Sequence, residues 1–215
     1  AAVAARHVVG QMLPDVMFGC LNQAMDGGVP AEGTSCLWNL NLFGGNGRVD
    51  GDPVALARAT NFNVLSFNAG GVGARPTKDG LSATAFPSGV KNVPIEITEM
   101  ISPVVFWRKE YREDSGGAGR HRGGLGTEQV IRALAPITVD VQAERMHCAP
   151  WGILGGMEGK GNHVTTRIDG KEVLERANAK LRNQRLKAGD ALILRTGGGG
   201  GFGPPRERDR ALVLN

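Results

Sequence analysis

Aromatic side chains are scarce in this chain of 215 residues. One tyrosine, three tryptophans and seven phenylalanines make up 5% of it. Little is therefore available to stack nucleic-acid bases. Positive charge does gather in residues 160–215, with twelve Lys/Arg against six Asp/Glu, but Phe202 is the one aromatic there. That charge reads as a solvated surface, and a nucleic-acid partner is not expected. Cysteine is equally sparse. Cys20, Cys36 and Cys148 are too few and too scattered for a disulfide framework or a zinc knuckle, so a reduced, cytoplasmic setting is the simplest reading. No apolar run reaches the roughly 18–20 residues of a membrane span. The apolar opening stretch is broken by Arg6, His7, Pro14 and Asp15, which argues against a signal peptide as well. The chain opens on Ala1, in what reads as mid-helix, and is expected to be a piece of a longer protein.

Glycine is what the chain has in plenty. Its 33 glycines and 11 prolines fall below the roughly 25–30% at which composition alone signals disorder. With 41% hydrophobic residues, the chain should fold with many tight turns and little continuous helix. Over residues 1–25, Val8, Val9, Met12, Leu13, Val16, Met17 and Leu21 follow helical spacing, with Pro14 predicted to end or kink the helix and Asp26-Gly27-Gly28 to stop it. Residues 26–60 read as turns, punctuated by Gly44-Gly45-Asn46-Gly47 and Asp50-Gly51-Asp52-Pro53. Strands are predicted over 62–67, 104–112, 127–133, 137–142, 163–168 and 191–195, with Asp169-Gly170-Lys171 as a hairpin signal and a short helix over 94–101. The fold class is α+β: a β-rich, mostly antiparallel or mixed sheet with an N-terminal helix and many glycine-rich turns. Residues 1–100 read as a helix and glycine-loop segment and 101–215 as a β-rich segment, or the two as one continuous domain.

The usual chemical motifs are incomplete. His7, His121, His147 and His163 are far apart, and no spacing suits zinc. Ser88 and Ser115 lack the flanking glycines of a nucleophile elbow, and Ser115 reads as a turn cap. The stretch Gly155-Gly156-Met157-Glu158-Gly159-Lys160-Gly161 approximates a P-loop, but Gly161 replaces the Ser/Thr that would hold magnesium. The run over 197–203 has no lysine. Each glycine run reads better as a tight turn than as an anion nest. Two close carboxylate pairs remain, Glu96/Glu99 and Glu113/Asp114. Glu96 and Glu99, three apart on one helical face, could bind a cation or work as acid and base, or simply favour the helix start.

Several segments together resemble one family, the B-type subunits of hydantoinases and 5-oxoprolinases. They are Ala69-Gly70-Gly71-Val72-Gly73-Ala74-Arg75-Pro76 with Asp79-Gly80, Asn92-Val93-Pro94-Ile95-Glu96 with Glu99, and Asp114-Ser115-Gly116-Gly117-Ala118-Gly119-Arg120-His121-Arg122-Gly123-Gly124-Leu125-Gly126. Pro150-Trp151-Gly152-Ile153-Leu154-Gly155-Gly156, Leu186-Lys187-Ala188-Gly189-Asp190 and the run 197–204 follow in the same order. Ala143-Glu144-Arg145-Met146-His147 departs from the pattern, since a serine and an aspartate usually stand in that segment. The part resembled is the C-terminal portion of a longer chain.

The resemblance implies an ATP-dependent opening of a cyclic amide, in which ATP phosphorylates the amide oxygen and water then attacks. It places nucleotide binding in an A-type subunit and the metal-ligand segments in the remainder of the B-type subunit. ATP and a divalent metal are thus expected in the complete enzyme and not on this chain alone. Within this chain, the loop 70–79 is expected to line the site. Gly70, Gly71 and Gly73 would allow close backbone approach to substrate, Arg75 would meet anionic charge, and Asp79 would orient Arg75. The structural alternative is an Arg75–Asp79 pair that fixes the loop. Arg75, Asp79, Glu96 and Glu99 are the catalytic candidates. Two other functions fit the same resemblance: a subunit of an acetone-type carboxylase, or an assembly domain without chemistry of its own.

Overall fold

A computed structural model describes residues 6–25, 27–44, 62–174 and 180–213. The turn signals from Gly45 to Pro53, and Asp26, lie outside these residues. Helix α1 spans Arg6–Leu21 and α2 spans Ile95–Ile101. The strands are β1 (Leu37–Gly44), β2 (Phe62–Ala69), β3 (Val104–Tyr111), β4 (Thr127–Ala133), β5 (Ile137–Gln142), β6 (His163–Ile168), β7 (Lys171–Leu174), β8 (Lys180–Leu186) and β9 (Ala191–Arg195). Two single 3₁₀ turns follow at Pro205–Glu207 and Arg210–Leu212. No described helix is long and apolar enough to cross a membrane.

The strands form two sheets, ordered β2-β1-β5-β8 and β3-β4-β9-β6-β7, and every strand pair in them is antiparallel. Alternation decides which side chains face inward. Trp38, Leu40 and Leu42 of β1 and Val139 and Val141 of β5 meet Ile131 of β4 and Leu192 and Leu194 of β9 in one core shared by the sheets. Each fully buried leucine there contributes about 2 kcal/mol. Strands from both sides of residue 100 share the first sheet, because β5 pairs directly with β1. The Asp169-Gly170 signal forms the β6–β7 hairpin, and both residues have positive φ (49° and 78°), as a type I′ turn requires.

Two sequence expectations are corrected and a third in part. Pro14 does not end α1, which runs on through it to Leu21. The carbonyl that a proline there leaves unbonded is that of Gly10, an exposed residue with open space around it, so water can serve it. Residues 37–44, read as turns, form β1. Residues 180–186 form β8, an edge strand whose Lys, Arg, Asn and Gln side chains concealed it.

The glycine run after β9 fills the space between distant loops. Along residues 197–203 the backbone bonds in succession to four loop segments. Gly71 N–H donates to Gly197 O (2.9 Å), Gly117 N–H to Gly199 O (2.8 Å) and Ala74 N–H to Gly200 O (2.9 Å). Gly200 N–H donates to Glu32 O and Gly201 N–H to Met157 O, each at 2.8 Å. A Cβ added at Gly200 would lie 1.9 Å from Trp151 O, and one at Gly199 2.2 Å from Val72 O. The rule matches that of collagen's axis: backbone packs against backbone, and only glycine fits.

Candidate active site

Helix α1 is turned inside out. His7, Gln11, Asp15, Phe18 and Asn22 recur at three- and four-residue spacing and face the body of the protein, with Gln11 only 3% exposed. The opposite face carries Val9, Leu13, Val16, Met17 and Leu21, all exposed, Val9 at 64%. The apolar stripe that announced the helix in the sequence thus points away from the fold. The polar stripe points inward because its partners there are hydroxyls and backbone N–H groups that need acceptors and donors.

Asp15 is the centre of this arrangement. Its carboxylate accepts from the Ser35 hydroxyl and from Gly33 N–H (3.2 Å). Ser35 adopts a left-handed φ of 47°, uncommon for a residue with a side chain. Asp15, Gly33, Ser35, Gly71, Val72, Thr84 and Phe86 line a cavity of about 10 Å³. That is room for one water and far below the roughly 300–1,000 Å³ of a substrate pocket. Burial pushes the Asp15 carboxyl above its usual range, against the opposing pull of the Ser35 hydroxyl, the Gly33 N–H and Arg145. Further along α1, Gln11 Nε2 donates to Ser88 Oγ at 2.5 Å, while Gln11 Oε1 and His7 Nε2 are buried without a partner among the described residues. A carboxylate with a raised proton affinity beside a water-sized space can hold a water and accept its proton.

A second buried group of charges stands close by in the fold. Glu144 accepts from Leu37 N–H (3.1 Å) through Oε1, and its Oε2 has no partner among the described residues. Burial raises its carboxyl to about 7, against the opposing effects of Leu37 N–H and Arg145. Arg145 Nη2 meets Glu32 at 2.5 Å, and the other Glu32 oxygen accepts from Trp151 N–H (2.8 Å). This pair fastens residues 145–151 to the segment that carries Gly33 and Ser35.

The residues predicted from sequence fall in three places. Gly71 reaches the Asp15 cavity. The missing side chains of Gly70, Gly71 and Gly73 are all accounted for by neighbours, since added Cβ atoms would lie 2.3 Å from Thr34 Oγ1, 1.9 Å from Gly124 O and 1.8 Å from Ala31 O. Arg75 donates through Nε and Nη2 to the backbone carbonyl of Asp79 (3.0 and 2.6 Å). The Asp79 carboxylate turns to Arg208 in a two-pronged ion pair (2.9 and 2.8 Å) and also accepts from Arg122 N–H. The Arg208 hydrogen bond, with Arg122 N–H and both guanidinium charges, holds that carboxyl below its usual range. On α2, Glu99 accepts from Phe106 N–H (2.7 Å), which ties the helix to β3, and Glu96 is exposed. Ser115 bridges Arg112 O and Gly126 N–H, capping the turn as its setting suggested.

Asp15, Ser35, Glu32 and Glu144 were not singled out from sequence. The four-residue spacing of His7, Gln11 and Asp15 was the signal for the first of them. Among the described residues, no group of three His, Cys, Asp or Glu stands ready to share a metal ion. Four backbone donors of the 155–161 loop are already committed: Gly156, Met157, Gly159 and Lys160 N–H donate to Ile153, Ala118, Pro150 and Ser115 carbonyls. A triphosphate cradled there would have to displace these bonds.

The family model described as Hydantoinase B/oxoprolinase matches residues 1–205. A Pseudomonas sp. (strain NS671) protein, named as the B-type subunit of a D-/L-hydantoinase, is 28% identical across 100% of this chain, which covers 34% of it. The 5-oxoprolinase 1 of Arabidopsis thaliana is 35% identical over 66% of this chain and 11% of its own length. The chain therefore spans at most about a third of these relatives. Among solved structures, the nucleotide-free acetone carboxylase superposes with a TM-score of 0.69 at 21% identity, over 86% of this chain and 28% of that one. The ATP-dependent caprolactamase of Pseudomonas jessenii does so with a TM-score of 0.68 at 24% identity, over 90% of this chain and 33% of that one.

Proposed function

Because the chain belongs to the hydantoinase B/oxoprolinase family, we propose that it forms part of the B-type side of an enzyme that opens a cyclic amide, a lactam or hydantoin ring, at the expense of ATP. The family match over residues 1–205 carries this reading. The names of the relatives and of the caprolactamase support it. The chain's own part is one wall of the site. The loop 70–79 supplies backbone at close quarters through Gly71 and Val72, which border the cavity. Asp15, steered by Ser35 and Gly33 N–H, holds the water that attacks the activated amide carbon and takes the proton that this water gives up. The loop is locked from outside by Arg75 on the Asp79 carbonyl and Arg208 on its carboxylate, so that Arg75 positions the wall. Nucleotide and divalent cation are assigned to an A-type subunit and to the remainder of the B-type chain. The exposed apolar stripe of α1 is the kind of surface such additional polypeptide would cover. The assembly works in the cytoplasm.

The test is substrate-dependent release of ADP. The complete enzyme should release ADP on addition of 5-oxoproline, a hydantoin or a larger lactam, with stoichiometric ring opening. The 215-residue chain alone should release none. ADP release dependent on acetone and bicarbonate, without any ring opening, would replace the hydrolase by a carboxylase.

A further inference from the structure

The outer face of the second sheet carries chemistry that ring opening does not use. Register places Arg132 of β4, Ala191 of β9 and Arg167 of β6 side by side in one row, and Val130 and Ile193 with Thr165 in the next. Val130, Ala191 and Ile193 form a small buried cluster separate from the main core. A bulge in β3 between Phe106 and Arg108 inserts Trp107, whose side chain stands 72% exposed beside this cluster. Two concavities of about 250 and 230 Å³ meet at Trp107, Val130 and Arg167.

The charges of this face are uneven. Glu128 engages Arg108 (3.1 Å) and Arg195 (2.6 Å), and Arg167 is paired with Glu172. Arg132 has no ion pair among the described residues. Arg132 and Arg167 stand two strands apart, about 9.5 Å by strand spacing. Arg167 gives Nε and Nη2 to Glu172, so its Nη1 is the atom that can meet a carboxylate together with Arg132 over Ala191, whose methyl leaves the space open.

Shape separates the possible occupants. The two concavities share Trp107, Val130 and Arg167 and run together as one open trough across the sheet, not a cavity that engulfs a small molecule. Two shallow hollows flanking an exposed indole on a flat sheet suit successive side chains of an extended chain. Tryptophan and arginine are also the residues on which protein interfaces concentrate their energy. We propose that this face docks an extended acidic segment of a partner protein, with a carboxylate held between Arg132 and Arg167 and an apolar side chain laid on Trp107.

Fluorescein-labelled Glu-Phe-Glu-Phe-Glu, titrated with the protein and followed by anisotropy, tests this. The acidic peptide should bind at least tenfold more tightly than Lys-Phe-Lys-Phe-Lys, and its affinity should fall as salt is raised. Arg132→Gln combined with Arg167→Gln should weaken it tenfold or more, as should Trp107→Ala. All three side chains are exposed, so an unchanged melting temperature is expected, and Arg132→Gln alone serves if Trp107→Ala unfolds. Equal binding of the basic peptide, or affinity indifferent to these substitutions, would overturn the proposal. Complete displacement by millimolar inorganic phosphate would also overturn it, in favour of a small-anion site.

Discussion

Glu144→Gln should stabilise the protein at pH 8 by about 3 kcal/mol and at pH 5 by less than about 1 kcal/mol. In the folded state the Glu144 carboxyl sits at about 7, against an ordinary 4.5, because it is buried. The folded protein therefore binds this proton more tightly than the unfolded chain does. Its stabilising effect is complete below about pH 4.5 and is lost as pH rises towards and through 7. A shift of that size corresponds to about 3 kcal/mol. Glutamine keeps an oxygen for Leu37 N–H, carries no charge to bury, and has no proton to lose. Denaturant unfolding at pH 5, 6, 7 and 8 measures the effect. Stability curves for the two proteins should diverge with rising pH; parallel curves would show that folding leaves the Glu144 carboxyl at its ordinary proton affinity.

Gly200→Ala should destabilise the protein severely. The added methyl would stand 1.9 Å from the Trp151 carbonyl oxygen, a backbone atom that cannot turn aside as a side chain could. Relief requires shifting the loop from which Glu32 also draws a hydrogen bond, at an expected loss above about 4 kcal/mol. Gly19→Ala is the matching control, since an added Cβ there meets nothing within 4 Å and the residue is exposed in α1. It should stabilise the protein by about 0.5–1 kcal/mol. Thermal melts of the two variants decide the matter, and similar melting temperatures would mean that the glycine run is not tightly packed.

These two substitutions mark what the sequence made legible. Strands β4, β5, β6 and β9 could be read to the residue, because short apolar alternation bounded by Pro136 and glycine turns leaves little choice of register. β1 was readable as well: Trp38, Leu40 and Leu42 alternate with polar asparagines, but the surrounding glycines and prolines masked the pattern. β8 carried too few apolar residues to be seen, as its edge position allows. The glycines were counted correctly, yet their purpose depends on loops far apart in the chain, and no local pattern reveals which carbonyl will press on which glycine. The site was the least visible part. A polar stripe at helical spacing looks the same in sequence whether it faces water or a buried serine. Only the tertiary structure turns Asp15 inward and sends the Asp79 carboxylate to Arg208 instead of Arg75.

The inward carboxylate of α1 is where the functional account is most exposed. The direct measurement is ring-opening turnover of the complete enzyme carrying Asp15→Asn, which keeps the acceptor for Gly33 N–H and removes the proton acceptor. The account predicts a fall in kcat of about a hundredfold or more, with the melting temperature unchanged and the acid limb of the pH profile lost. Turnover and pH profile equal to the unsubstituted enzyme would contradict it.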